Sequence, residues 1–388
     1  MSVHSFIASR IRFKGRLPLV CITVSFLIMI IAVGVSSGFR REIRSGVGAV
    51  SGDVQLLPLN RDFVSEASPI GACPSYLPRI DSLDAVDRVV PVVYRVGIIK
   101  SGEDIHGVMF KGIPDRRDTV SLGVSIPRRL ASILSLEVGS PLLTYFVGDN
   151  VRARKFTVTS IYDGMIDTED KLVVYASLED MQRLNGWAED QVSALEIMLR
   201  PSARNDVMLR EMEGQIGFIA HAYSTDDDSP VYATSSVSTY PQLFDWLNLI
   251  DFNVLFILIL MTIVAGFNMI SGLLIMLFEN IPTIGLLKSL GMTDRGISKV
   301  FLISASTVVL KGMLLGNALA IAFCLAENAF HLIPLNPVNY FVSYVPAHLN
   351  IPLILLADVA AYLVIMLLLL IPSMFISRVD PAETVRVK

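Results

Sequence analysis

The chain has 388 residues, of which 53% are hydrophobic and 18% charged, and its mean hydropathy is +0.58. Such a composition is too apolar for an ordinary water-soluble protein and excludes a disordered, highly charged chain. A net charge of −4 and a pI near 5.8 leave no basic footprint for a nucleic-acid partner.

The apolarity is concentrated. The stretches Leu17–Gly38, Asp251–Phe278, Lys299–Ala326 and Ile351–Ser377 each reach the ~20 residues that a ~30 Å hydrocarbon core requires. Arg10, Arg12, Lys14 and Arg16 precede the first stretch, as in a signal peptide. Its apolar part, Leu17 to Val35, exceeds the roughly 7–15 residues of a signal-peptide core, and no A-x-A cleavage site follows, so it reads as a retained anchor. The expected fold class is an α-helical membrane protein with four transmembrane helices, arranged 1+3 around a large α/β extracytoplasmic domain. The boundaries are 1–39 for the N-terminus and first helix, 40–245 for the domain, and 246–388 for the remaining helices, a connecting helix at 279–291 and the tail.

Orientation follows from Lys and Arg. The N-terminal segment carries four basic residues and no acid. The connection after the second stretch has Lys288, Arg295 and Lys299, and the tail has Arg378, Arg386 and Lys388. The connection from Glu327 to Asn350 has neither Lys nor Arg. This contrast puts both termini and the 279–300 segment in the cytoplasm and the large domain outside. Arg40, Arg41 and Arg44 run against it, but long translocated domains largely escape the charge rule.

From Arg40 to Asp245 the pattern is mixed α/β. Strand-like runs fall at Val86–Lys100, Gly107–Phe110, Leu142–Val147, Lys155–Tyr162, Leu172–Tyr175 and Ser193–Leu199, separated by Gly, Pro, Asp and Asn. Pro127 marks one helix start. Ser177 and Gly186 bracket another helix, and "SARNDVMLREMEGQIG" reads as a third that stops at its final glycine. "STDDDSPVYATSS" reads as a mobile loop. Of three cysteines, Cys21 and Cys324 fall in membrane stretches, which leaves Cys73 as a free exported thiol.

The domain offers no catalytic residues. His106, with Glu103 and Asp104 before it, and His221 stand far apart without metal-ligand spacing. Asp226, Asp227 and Asp228 lack the ligand spacing of a calcium loop and read as a solvated acidic turn. No G-x-S-x-G, H-E-x-x-H or G-x-x-x-x-G-K-[ST] occurs, so no metal and no nucleotide is held by a motif in this chain.

Two charges fall inside membrane stretches. Lys311 lies ~18 Å from one end of its helix and Asp358 ~10 Å from the opposite face, at ~1.5 Å per residue. Each costs ~2.5–3.5 kcal/mol alone, so a Lys311–Asp358 contact is expected, with outward snorkelling of Lys311 as the alternative. Gly312 and Gly316 form a G-x-x-x-G, and Gly266, Ser271 and Gly272 are small residues on the second helix; both sets favour close packing without naming a partner.

The connection at 279–297 reads as a short helix. Asn280 or Ile281 caps it, Pro282 begins it and Gly291 stops it, and Thr293 caps the helix that follows. Ile281, Ile284 and Leu287 give an apolar edge, with Lys288 toward the polar side.

Those residues carry a resemblance. "E-x-x-x-x-I-G-L-L-K-S-L-G" from Glu279 to Gly291 resembles the coupling-helix signature of FtsX-like, MacB-type ABC permeases. "GFRREI" at Gly38–Ile43, "VMFKGIP" at Val108–Pro114, the stretch from Lys155 to Leu184, the second apolar stretch and "KGMLLGN" at Lys311–Asn317 resemble the lipoprotein-releasing LolC/LolE branch. The resemblance covers most of the chain. Where the family often has basic residues beside the coupling Glu, this chain has Asn280, Ile281 and Pro282.

The resemblance implies a permease subunit, not an enzyme. Separate ABC ATPase subunits would carry ATP and magnesium and dock on Glu279, Ile281, Ile284, Leu287, Lys288 and Gly291. A second permease, identical or a LolC/LolE-like relative, would complete the complex in the bacterial inner membrane. A lipoprotein would be the substrate, passed to a periplasmic carrier. Phe26, Met29, Ile30, Val33 and Phe39 are the candidates for a lipid or substrate cavity. A macrolide-exporter-like permease and an FtsX-type signalling permease controlling a cell-wall hydrolase are the alternatives. A proton-driven carrier would require inverted repeats that this sequence does not supply.

Overall fold

The computed structural model describes residues 17–59, 69–101, 104–114, 122–147, 151–163, 172–336, 340 and 342–373. Arg10, Arg12, Lys14, Arg16, Glu103, Arg378, Arg386 and Lys388 lie outside the described residues, as does the end of the fourth apolar stretch beyond Ser373. In chain order the elements begin with α1 (Leu17–Ser51), β1 (Val54–Pro58), β2 (Ile70–Gly71), α2 (Leu77–Asp81), β3 (Val86–Ser101), β4 (Asp104–Ile113) and β5 (Gly123–Pro127). They continue with α3 (Arg128–Ile133), β6 (Pro141–Phe146), β7 (Arg152–Tyr162), β8 (Val173–Ser177), α4 (Leu178–Asn185), β9 (Gln191–Val192) and β10 (Ala194–Leu199). The last are α5 (Asp206–Ala222), β11 (Val231–Ser235), α6 (Ser236–Thr239), α7 (Pro241–Glu279), α8 (Ile281–Ser289), α9 (Asp294–Phe330), α10 (Ile351–Leu368) and α11 (Leu370–Ser373). Internal contacts divide the chain at Arg41/Glu42, Trp246/Leu247, Pro334/Leu335 and Ser343/Tyr344 into a helical unit and an α/β unit.

In the helical unit, α1, α7, α9 and α10 with α11 are long and apolar enough to cross a membrane. The first three are longer than hydropathy marks them, because hydropathy reports where a helix is greasy and not where its hydrogen bonds stop. The first helix continues through Arg40, Arg41 and Arg44, since nothing in "GFRREIRSGVGAVS" breaks it before Gly52, whose φ of +67° suits glycine. The G-x-x-x-G of α9 has α1 as its partner. A Cβ on Gly312 would lie 2.7 Å from the Ile22 side chain, and one on Gly316 would lie 2.7 Å from the Thr23 carbonyl oxygen. Small residues there bring the two backbones together, which is how helices associate when lipid removes the hydrophobic drive.

In the α/β unit a nine-stranded sheet runs in the order β11-β1-β10-β3-β4-β8-β5-β7-β6. The sixteen-residue β3 serves two neighbourhoods: its first half pairs with β10 and its second with β4. Because β6 also pairs with β3, Ile98 opposite Tyr145 and Ile99 opposite Thr144, the strands from β3 to β6 close into a ring. Phe110, Phe146 and Phe156 fill it, with ring centroids 5.0 to 6.1 Å apart. The other end of the sheet is covered by α5, whose buried Leu209, Met212, Ile216 and Ala220 lie on one face.

Three local expectations are corrected here. Ser177 precedes α4 but makes no side-chain cap; Gly186 does close the helix, with φ +73°. The third helix does not stop at Gly217. It runs on to Ala222, because a glycine inside a helix costs only ~1 kcal/mol and packing on β11 outweighs that. The acidic segment at 224–236 is pinned at Asp228 and continues into a strand. Asp228 accepts hydrogen bonds from the Ser75 hydroxyl, the Ser75 N–H at 3.2 Å and the Thr225 N–H at 2.9 Å, and β11 follows directly.

Candidate functional site

Helix α8 joins α7 to α9 within the helical unit, and its ends are set by local chemistry. Asn280 turns its side chain back, donating from Nδ2 to the Met276 carbonyl at 2.8 Å, and Pro282 occupies the first turn, where its missing N–H is harmless. At the far end the N–H of Gly291 donates to Lys288 O at 2.9 Å and that of Met292 to Leu287 O at 3.0 Å, with Gly291 at φ +86°. Thr293 then caps α9 by accepting from the Gly296 N–H at 3.3 Å. Lys288 ties the two helices with a 2.9 Å ion pair to Asp294. The short helix is therefore held at both ends.

Its faces are the reverse of the sequence expectation. Ile284 is 1% exposed and packs in the core of the helical unit, with Leu287 against the same cluster, while Ile281 and Lys288 are only partly exposed. The open side carries Leu286 at 58% and Leu290 at 75% exposure, with Glu279, Pro282, Ser289 and Gly291 also exposed. At ~3.6 residues per turn, Pro282, Leu286, Ser289 and Leu290 share one face and Ile284 lies opposite. The apolar residues form two stripes, and packing takes up Ile284 and Leu287.

At the other end of the helical unit, α1 and α7 are latched. Asp251 accepts from Ser36 and from Arg40, and Arg40 also reaches the Asn248 oxygen at 3.2 Å. Arg41 donates to the His348 ring, and the His348 N–H reaches the Gly34 carbonyl at 2.9 Å. Burial, with the Arg41 charge second, holds the His348 imidazole below its ordinary range. Gly38 is indispensable at this crossing: a Cβ there would lie 2.0 Å from the Pro346 carbonyl oxygen.

One further expectation is overturned. The carboxylate of Asp358 takes its hydrogen bond from Asn317 Nδ2 at 2.6 Å, while Lys311 is exposed. Asn317 lies six residues beyond Lys311, more than one and a half turns on, so it looks toward α10 while Lys311 does not. Phe26, Met29, Ile30, Val33 and Phe39 are all buried, Phe26 and Met29 in one apolar cluster and Ile30 and Val33 in another. Exposed apolar side chains occur on α7, at Phe252, Phe256, Ile263 and Phe267, as well as on α9 and α10.

Among the described residues no group of three His, Cys, Asp or Glu is placed to hold a metal ion. The arrangement is one of levers and contact faces.

Residues 255–381 match the family described as FtsX-like permease C-terminal. The chain is 22% identical to a lipoprotein-releasing system transmembrane protein LolC of Xylella fastidiosa over 97% of this chain and 94% of the relative. It is 23% identical to a lipoprotein-releasing system transmembrane protein LolE of Haemophilus influenzae over 99% of both. The crystal structure of the periplasmic region of MacB from Actinobacillus actinomycetemcomitans aligns with a TM-score of 0.32 at 12% identity, covering 52% of this chain and 95% of that one.

Proposed function

We propose, starting from the FtsX-like permease domain that this chain carries, that it is the membrane subunit of an ATP-driven complex that releases lipoproteins from a bacterial inner membrane to a periplasmic carrier. The observation that carries this reading is the similarity to LolC and LolE proteins along nearly the whole of both partners. The segment with Lys288, Arg295 and Lys299 faces the cytoplasm and the Lys- and Arg-free connection from Glu327 to Asn350 faces away, which supports a periplasmic α/β unit.

ATP and magnesium belong to separate ATPase subunits. These subunits dock on the open face of α8, where Leu286 and Leu290 supply apolar contact and Glu279 a charge at its start. A second permease, a copy or a relative, completes the complex. Drawing acyl chains out of lipid costs ~0.8 kcal/mol per CH₂, a reason for the work to need ATP and a greasy resting place. The exposed Phe252, Phe256 and Ile263 of α7 supply such a surface. Depletion of the protein in its own cells is the test: lipoproteins destined for the outer membrane should accumulate in the inner membrane. Normal export under depletion contradicts the reading and leaves efflux or signalling as the work of the complex.

A further inference from the structure

The last four carbonyls of any helix lack intrahelical partners, and a cation in the last turn is the usual relief. The 35-residue α1 has no basic residue in its last turn. Its relief comes from β4, some sixty residues on: Lys111 Nζ donates to Ala49 O at 3.2 Å and to Val50 O at 2.9 Å.

The same ammonium meets the Glu196 carboxylate of β10 at 2.7 to 2.8 Å. An ammonium has three protons, and here all three have a partner. Glu196 in turn accepts from the Tyr94 hydroxyl of β3, which accepts from Gln55 Nε2 of β1 at 2.9 Å. Tyr175 of β8 adds a longer contact to Ala49 O at 3.4 Å. The side chains of Lys111 and Glu196 are 3% and 1% exposed. Upstream, Arg44 of α1 pairs with Asp206 of α5.

A buried ion pair is poor value as stability alone, because desolvating both charges costs several kcal/mol and apolar residues of the same volume often do as well. What this pair supplies, and apolar residues do not, is direction: it fixes the end of α1 to β4 and β10 at a set height and rotation. We propose that Lys111 is a positioning residue that locks the C-terminal turn of α1 to the sheet, so that displacement of α1 moves the α/β unit instead of being lost in fraying of that turn. The second half of this inference rests on the permease reading above; the first half does not.

The test uses the full chain in lipid nanodiscs and, in parallel, its purified complex. Lys111→Met/Glu196→Met keeps volume and leaves no lone buried charge; Lys111→Arg keeps a cation and its donors. In the double variant, amide exchange at residues 50–52 should speed up roughly tenfold while exchange at 93–96 of β3 stays unchanged. ATP hydrolysis by the complex should persist while lipoprotein release falls roughly tenfold, and Lys111→Arg should restore much of both exchange protection and release. Unchanged exchange at 50–52 overturns the anchor, and so does loss of protection throughout the sheet. Accelerated exchange with release at the wild-type rate overturns the transmission. If the wild-type complex itself releases no lipoprotein, the permease reading fails and the exchange result alone decides the anchor.

Discussion

Helices α1 and α7 look interchangeable in composition and are used in opposite ways. In its most apolar stretch α1 has 44% of its residues buried in protein, while α7 has 17%. The difference lies in their neighbours. The first helix meets Gly312 and Gly316 of α9, sets Gly34 against Cys324 of α9 and gives up Gly38 to the segment before α10, so backbones approach and its Phe26, Ile30 and Val33 disappear into packing. On α7, Gly266 meets only the Leu368 side chain, and Phe252, Phe256 and Phe267 turn outward. Hydropathy finds a span; the small residues opposite it decide whether its large ones are core or surface.

The largest effect that sharpens this contrast is at Gly38. A methyl group there meets the Pro346 carbonyl oxygen at 2.0 Å, and since backbone cannot swing aside as a side chain does, Gly38→Ala should destabilise the chain by about 1–3 kcal/mol or more. Phe256→Ala or Phe267→Ala on α7 should stay within about 0.5 kcal/mol. Thermal unfolding of the three variants in one detergent measures both, and equal losses at Gly38 and Phe256 would break the comparison.

A smaller effect is expected where α9 meets α10. Asn317→Leu removes the donor to Asp358 and should cost about 0.6 kcal/mol, the average for a hydrogen bond between membrane helices, with about 1.7 kcal/mol as the upper bound. Lys311→Leu should leave that contact intact. If Lys311→Leu destabilised as much as Asn317→Leu, the original pairing of Lys311 with Asp358 would be reinstated.

The smallest effect is a pH dependence in the α/β unit. Burial pushes the Asp228 carboxyl up, but hydrogen bonds from the Ser75 side chain, the Thr225 and Ser75 N–H groups and the Thr225 hydroxyl outweigh it and bring it to about 2. A depressed carboxyl contributes stability above its unfolded value of 3.8 and loses it as pH falls toward 2. Protease cleavage in 224–229 should therefore be constant from pH 7 to pH 4 and rise below pH 3.8. A rise already at pH 6 would mean that another group holds the loop.

How much of this could be read from the residues depends on whether the signal is local. Gly291 and Thr293, which end α8 and start α9, were legible because a left-handed turn and a side-chain cap are properties of a few adjacent residues. The strands that alternate or run long were legible as well. The buried β1, "VQLLP", shows no alternation, and neither it nor β5 stands out from a loop. On α8 the periodicity shows apolar residues at 281, 284 and 287 and again at 286 and 290, and no local rule says which stripe the neighbouring helices will cover. Lys111 was hidden for the same reason, since the carbonyls it serves lie far away along the chain. Asn317 was hidden because a neutral amide carries no charge to mark it as the partner of Asp358, although in lipid an amide serves.

In the proposed function, separate ATPase subunits push on the open face of α8. The measurement is ATP hydrolysis by the complex copurified from its own membranes through a tag on this chain, for the wild type, Leu286→Asp/Leu290→Asp and Phe256→Ala. Magnesium-dependent hydrolysis is expected with the wild type and with Phe256→Ala, and loss of both the copurifying ATPase and the hydrolysis in the double variant, with the chain still present at its normal level. Full hydrolysis by the double variant, or a wild-type complex that carries no ATPase at all, would contradict it.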